Sequence, residues 1–260
     1  MTQTATESHP ARTSLEIAAS ARTAQLAIRA RLLRDVTALW PTLDAKRLAE
    51  TWPGWLRAMS LLIRNYHSQS SVAASAAYRA ARQAATQSPA PSSLVKLAPQ
   101  PSEEWLRKAL GYSGPGMLKW DKARPNTALS TTLGTASRVA LDGGRTTTLD
   151  TIKADPAAKG WYRVTDGQPC AFCAMLASRG VVYKGHSFDK SDPRFHGPGE
   201  FKVHNDCGCS LAPAFSRSHE TLPDLNRTAA TVWSGATDGV HYKQALQAFR
   251  KAWNDHLVNA

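Results

Sequence analysis

Long apolar runs, acid and cysteine are all scarce in this chain, and each scarcity excludes something. No stretch approaches the ~18 consecutive apolar residues of a membrane-spanning helix, so no span is expected. The N-terminus, MTQTATESHPARTS, has no apolar core of the kind found in secretory signals, so none is expected. No G-x-G-x-x-G, Walker, G-x-S-x-G or H-E-x-x-H pattern occurs. The usual signatures of dinucleotide binding, phosphate cradling, serine hydrolysis and zinc proteolysis are therefore missing. Acid is outnumbered: 20 Asp and Glu stand against 32 Lys and Arg, a net charge of +12. The excess is uneven, with 21 basic against 11 acidic residues in 1–160 and 11 against 9 in 161–260. A basic N-terminal part can approach DNA by non-specific attraction. However, no basic run is interleaved with aromatics, and solvated helix faces account for the same charge.

Only four cysteines are present, all between residues 170 and 209. Cys170 and Cys173 form a C-x2-C pair. Cys207 and Cys209 form a C-x-C pair, with His204 three residues ahead of it. Two short pairs of soft donors separated by a long loop are the layout of a structural zinc site. Five candidates compete for four tetrahedral places: Cys170, Cys173, His204, Cys207 and Cys209. Either both C-x-C sulfurs bind and His204 stands behind them, or His204 replaces one. Two other readings stay open. One is a pair of disulfides or buried reduced thiols, although spacing disfavours a bridge within either pair. The other is a nucleophilic cysteine with His204 or His196 as its base. Glu200 and Asp206 are the nearest carboxylates for an open, catalytic zinc, while Ser178, Ser187 and Ser210 have nothing to mark them as nucleophiles. His186 and His196 read as loop histidines and His67 as a packed helix residue.

The pattern Cys170, Cys173, Leu176, Arg179-Gly180, His204, Cys207, Cys209 and Pro213 resembles that of phage Mu F-like minor head proteins, in the form found in tailed phages of actinobacteria. The resemblance covers about 55 residues. One position departs from it: the family commonly has Arg between the last two cysteines, where this chain has Gly208. The resemblance implies a minor capsid protein in the phage head interior, present in the host cytoplasm during assembly. It implies portal and major capsid or scaffold proteins as partners, and a role in head assembly and DNA packaging or release. It also brings the label capsid maturation protease.

The remaining chain reads as α+β, mainly α. Thr13 with Glu16 forms a capping box opening a helix along Leu15, Ala18, Leu26, Leu33, Val36 and Trp40, which Pro41 ends. A short helix over 43–52, capped by Thr42, and a long one over 55–87 complete a helical N-terminal unit, 1–88. Pro89, Pro91, Pro99 and Pro101 mark a linker, 89–101. A zinc-stabilised α+β module spans 102–215. It holds a helix capped by Ser102, a turn at 111–116 and a helix over 126–142 stopped by Gly143-Gly144. Strands follow at 160–165, 181–183 and 201–203, with a helical turn at 171–178 and a polar loop at 184–200. The tail, 216–260, is polar to about 237 and closes with a helix over 240–258 that presents Leu246, Phe249, Trp253 and Leu257.

Overall fold

A computed structural model describes residues 13–120, 125–183, 201, 203–216 and 222–259. The N-terminal tail 1–11 and the loop 184–200 lie outside the described residues. That loop carries His186, Ser187, Asp189, Asp192, His196 and Glu200.

The first helix, α1 (Ser14–Leu39), starts where the sequence places it. Thr13 Oγ1 accepts from the Glu16 amide at 3.2 Å, and Glu16 Oε2 accepts from the Thr13 amide at 2.7 Å. Its buried face runs through Ile17, Ala18, Gln25, Ile28, Leu32 and Val36. That face is rotated from the expected stripe: Leu32, not Leu33, points inward. Pro41 falls in the 3-10 turn Trp40–Thr42 that closes the helix.

The two helices expected over 43–87 are one. Helix α2 (Leu48–Thr86) runs for 39 residues with Pro53 inside it. Proline removes one backbone donor, and at the sixth residue of the helix that donor would have bonded within it. Trp52 and Trp40 pack on Trp55 with ring centroids 5.5 and 6.0 Å apart, which holds the chain helical across it. Gln87, left-handed at φ 54°, ends the helix.

The proline-rich stretch that follows is bonded along its length. Arg82 Nη1 donates to the Pro89 carbonyl at 2.8 Å and Arg79 Nη1 to that of Ala90 at 3.1 Å. Farther on, the Lys96 amide donates to Thr151 Oγ1 at 3.0 Å and the Ala98 amide to Thr147 Oγ1 at 2.9 Å. Helix α3 (Glu103–Gly111) begins at the Ser102 cap as expected. The expected turn at 111–116 is instead a π-helical turn, Tyr112–Gly116, leading straight into α4 (Met117–Trp120). Gly114 makes this possible, because a Cβ there would lie 3.3 Å from the Trp55 ring.

Helix α5 (Pro125–Ala154) overturns another expectation. It passes through Gly143-Gly144 without a break. These glycines form a crossing point. A Cβ on Gly143 would fall inside the His67 carbonyl, and one on Gly144 would lie 2.8 Å from Ser70 Oγ. The Gly144 amide donates to Ser70 Oγ at 2.9 Å, and that hydroxyl donates to Gln25 Oε1 at 2.6 Å. Three helices therefore meet at a buried polar contact inside an apolar core. The core includes Ile28, Leu32, Val36, Trp55, Met59, Ile63, Leu106, Leu110, Ala136 and Val139, drawn from both sides of the proline-rich stretch.

At the end of α5, Asp155 is fully buried. Tyr78 Oη and Arg82 Nε donate to its Oδ2 at 2.8 and 2.9 Å. Beyond it runs β1 (Gly160–Val164), the centre of an antiparallel sheet ordered β2-β1-β3. Strand β2 is Val182–Tyr183, and α6 (Ala171–Ala177) lies between them in sequence. The third strand is not at 201–203. The described residues there, Phe201 and Val203, are not in a strand, and β3 is Ser210–Ala214. Pro213, opposite Trp161, is tolerated because β3 is an edge strand. The tail expected to be polar to 237 holds α7 (Asp224–Thr237). The last helix, α8 (Tyr242–Asn259), buries Phe249 and Trp253 against α6 and α7, while Leu246 and Leu257 stay exposed.

The described residues are thus mainly helical, with one small sheet and a C-terminal helix. No helix among them is long and apolar enough to cross a membrane.

Candidate metal centre

Cys170 enters the site from the end of β1. The chain turns through Gly167, left-handed at φ 95°, and Trp253 of α8 fixes the approach by donating Nε1 to the Pro169 carbonyl at 3.0 Å. Cys170 is the N-cap residue of α6, and Cys173 falls in the first turn of that helix, facing inward. From the other side, His204 to Cys207 make a tight turn closed by the Cys207 amide donating to the His204 carbonyl at 3.2 Å. Asp206 takes the left-handed conformation in that turn at φ 63°, which aspartate tolerates. The turn rests on Gly134 of α5, where a Cβ would lie 3.0 Å from Asn205 Cβ.

The five candidate donors gather in two groups that meet at Cys173. His204 Nε2 lies 3.3 Å from Cys170 Sγ and 3.5 Å from Cys173 Sγ, and Cys173 Sγ lies 3.7 Å from Cys207 Sγ. They form two triads sharing Cys173: Cys170, Cys173 and His204, and Cys173, Cys207 and Cys209. Within each triad the donor atoms lie within 4.8 Å of one another. Ligands of a tetrahedral ion with metal–sulfur bonds of ~2.3 Å stand about 3.8 Å apart. The sulfur–sulfur and sulfur–nitrogen separations here are of that size. The donor set, soft sulfur with imidazole, suits zinc and other borderline or soft ions. The cluster could hold a metal ion.

The inner triad shares its protons unequally. Contacts with Cys173 and Cys209 hold the Cys207 thiol far below the ordinary range, helped by the Arg145 charge. Contacts with Cys207 and Cys209, together with burial, push Cys173 up. Cys173 draws Cys209 down, but Cys207 and burial outweigh it and Cys209 is pushed up to about 12. The three thiols therefore titrate as one interacting group rather than singly.

Two arginines that sequence reasoning did not single out support it. Arg145 of α5 is buried. Its Nη2 donates to the carbonyls of Cys207 and Cys209 at 2.6 and 2.9 Å, and its Nε donates to Cys209 at 3.1 Å. Asp142 holds it from behind at 2.9 Å. Arg163 of β1 is 1% exposed. Its Nη1 lies 3.8 Å from Cys173 Sγ and 4.0 Å from Cys207 Sγ, and its guanidinium lies 4.0 Å above the Phe201 ring. An arginine between aromatic and branched residues in a strand was a signal available in the sequence; nothing marked Arg145. Asn226 of α7 was missed as well. Its Nδ2 donates to the Arg163 and Ala177 carbonyls at 3.0 and 3.2 Å, tying β1 to α6.

Gly208 is crowded: a Cβ would meet Asp166 Oδ2 at 2.8 Å and Leu26 Cδ2 at 3.1 Å, so these side chains would have to shift. Arg145 and Arg163 bring positive charge to the C-x-C turn from outside it. Among the described residues, the other candidates are not brought in; His186, Ser187, His196 and Glu200 lie outside them. Asp206 is half-exposed and pairs with Arg29 at 3.5 Å. Ser178 donates to the Met175 carbonyl at 2.7 Å, and Ser210 lies in β3. His67 is buried under the α5 crossing.

A family profile, VG15 protein, matches residues 12–231. The chain belongs to the VG15 protein family. The matched span contains every candidate donor, both buried arginines and Asn226, and it ends inside α7. A curated relative, the Gene 15 protein of Mycobacterium phage D29, is 36% identical over 85 residues. That alignment covers 31% of this chain and 30% of the relative, so the chain matches less than a third of the relative's length. No solved structure matches.

Proposed function

We propose that this VG15 protein is a minor head protein of a tailed bacteriophage, a component in head assembly and DNA packaging or release. In this reading its 160–214 region is fixed by one structural zinc ion. The reading is supported by VG15 family membership, the phage relative, and the Mu F-like arrangement of Cys170, Cys173, His204, Cys207 and Cys209. The observation that carries it is that two donor triads meeting at Cys173 join segments more than thirty residues apart in sequence. When bound, the ion would supply cross-linking free energy, on the order of 10 kcal/mol in small zinc modules. The protein's own part is to present sulfur from α6 and from the turn before β3, and to balance negative charge with Arg145 and Arg163. Partners on this reading are the portal and the major capsid or scaffold protein, and the location is the head interior. Mass spectrometry of purified virions should find the chain, and zinc should co-purify with it. A chain absent from virions, whose loss leaves DNA-filled heads unchanged, would refute the assignment.

One contact favours a second reading, a capsid maturation protease. Exposed Cys170 lies 3.3 Å from His204 Nε2, and Nδ1 of the same ring meets the Asn205 carbonyl. This is the reach of a cysteine nucleophile and its base. Against it, the same nitrogen stands equally near the buried Cys173, as a ligand position requires. Specific cleavage of scaffold or major capsid protein, lost in Cys170→Ser with zinc content unchanged, would establish the protease and displace the structural reading.

A further inference from the structure

The two triads are unlike in their surroundings. Cys173, Cys207 and Cys209 are each 2% exposed. Arg145 grips the carbonyls of the second and third, and Arg163 stands against the sulfurs of the first and second. Among the described residues, the sulfurs of Cys173 and Cys207 face each other at 3.7 Å. Cys170 and His204 are both exposed, and both lie beside Cys173, on the solvent side of the cluster. Five donors cannot all occupy a tetrahedral ion.

Building on the metal-centre reading above, we propose that Cys173, Cys207 and Cys209 are the fixed ligands of one divalent ion, and that Cys170 and His204 are interchangeable occupants of its fourth position. A buried thiolate that leaves the ion gives up its strongest partner and stays out of water, which is costly. An exposed thiolate or imidazole that leaves is hydrated at once. The inner three are therefore committed, and the outer two compete at similar cost. Two forms result, one with four sulfurs and one with three sulfurs and a nitrogen, differing by one negative charge. In the second form Cys170 is a free thiol facing solvent.

The test uses the full chain with Cys170→Ser, His204→Ala, both together, and Cys209→Ser. Zinc per chain is measured by mass spectrometry, folding by circular dichroism, and ligation by the absorption of the cobalt(II)-substituted protein. Each outer single variant should keep the wild-type zinc content. Cys170→Ser should show a sulfur–nitrogen cobalt spectrum and His204→Ala an all-sulfur one. The double variant and Cys209→Ser should lose most of their zinc in chelator competition. Iodoacetamide should modify Cys170 alone in the zinc-loaded protein without releasing the ion. Loss of zinc from either outer single variant while it remains folded would overturn the proposal, as would identical cobalt spectra or full zinc in Cys209→Ser. A folded wild type that binds no metal would instead remove the metal-centre reading itself.

Discussion

Leu32, Val36, Met59, Ile63, Leu106 and Leu110 lie within one apolar cluster, all of them at 0% exposure. The interior around Cys173 is of another kind. Its cluster is three cysteines edged by Phe172, Phe201 and Val203, with two buried guanidinium groups alongside. The helices α1, α2 and α5 order themselves by removing hydrocarbon from water, at roughly 25 cal/mol per Å². The cysteine region has apolar contacts of its own, among them α6 on Phe249 and Trp253, and around the sulfurs it adds directed bonds: Arg145 to two carbonyls, Asn226 to two more, Trp253 to one, and the donors within each triad to one another. Apolar burial tolerates approximate shape, whereas directed bonds need every partner in place. The difference explains why the cysteine region borrows its supports from both α5 and the C-terminal helices.

The largest expected effect that would sharpen this contrast is removal of metal. Stripping zinc with a chelator at neutral pH should expose amides in 160–183 and 203–214 to hydrogen exchange, while α1, α2 and α5 keep their protection. The loss is that of a structural zinc, on the order of 10 kcal/mol locally. Equal loss of protection in both regions would erase the distinction.

Next comes Trp55→Ala, which opens the helical core at the contacts with Trp40 and Trp52. It should cost about 3–5 kcal/mol in denaturant unfolding and leave zinc content unchanged. A variant that lost metal in proportion to stability would show that the regions are not separable. Arg145→Met tests the joint between them. It retains bulk but leaves the Cys207 and Cys209 carbonyls without a donor, so about 2–3 kcal/mol should be lost, with faster zinc release to chelator. Unchanged release would mean that Arg145 only fills space.

The smallest effect is a pH dependence confined to the helices. Burial lowers the His67 pKa below its ordinary value, with Asp142 opposing. The unfolded chain therefore takes up a proton before the folded one does. Stability from this residue is complete above about pH 6.5, and falls as pH drops through the folded value. His67→Gln should flatten the melting-temperature profile between pH 7 and pH 5; an unaltered slope would assign the dependence elsewhere.

The helical periodicity, the Thr13–Glu16 capping box, the Ser102 cap and β1 were all legible in the chain, because each depends on neighbours within about four residues. The errors have a common cause. Gly143-Gly144 read as a stop because glycine destabilises an isolated helix; in the fold the missing side chains let α5 cross α2 and α1. Pro53 read as a gap because its neighbours in space, Trp40 and Trp55, were invisible. Helix α7 read as polar tail because its fully buried positions are Asn226 and Ala229, and because Leu225, Val232 and Trp233 find their apolar partners in α6 and α8, far away in sequence.

The sequence by itself determined which atoms are available to a metal, since sulfur and imidazole donors are fixed by residue type and their spacing by the chain. Tertiary structure alone decided that these donors meet, which of them are buried, and that Arg145 and Arg163 stand behind them. Those facts depend on contacts between segments tens of residues apart, and no local pattern encodes where such segments meet.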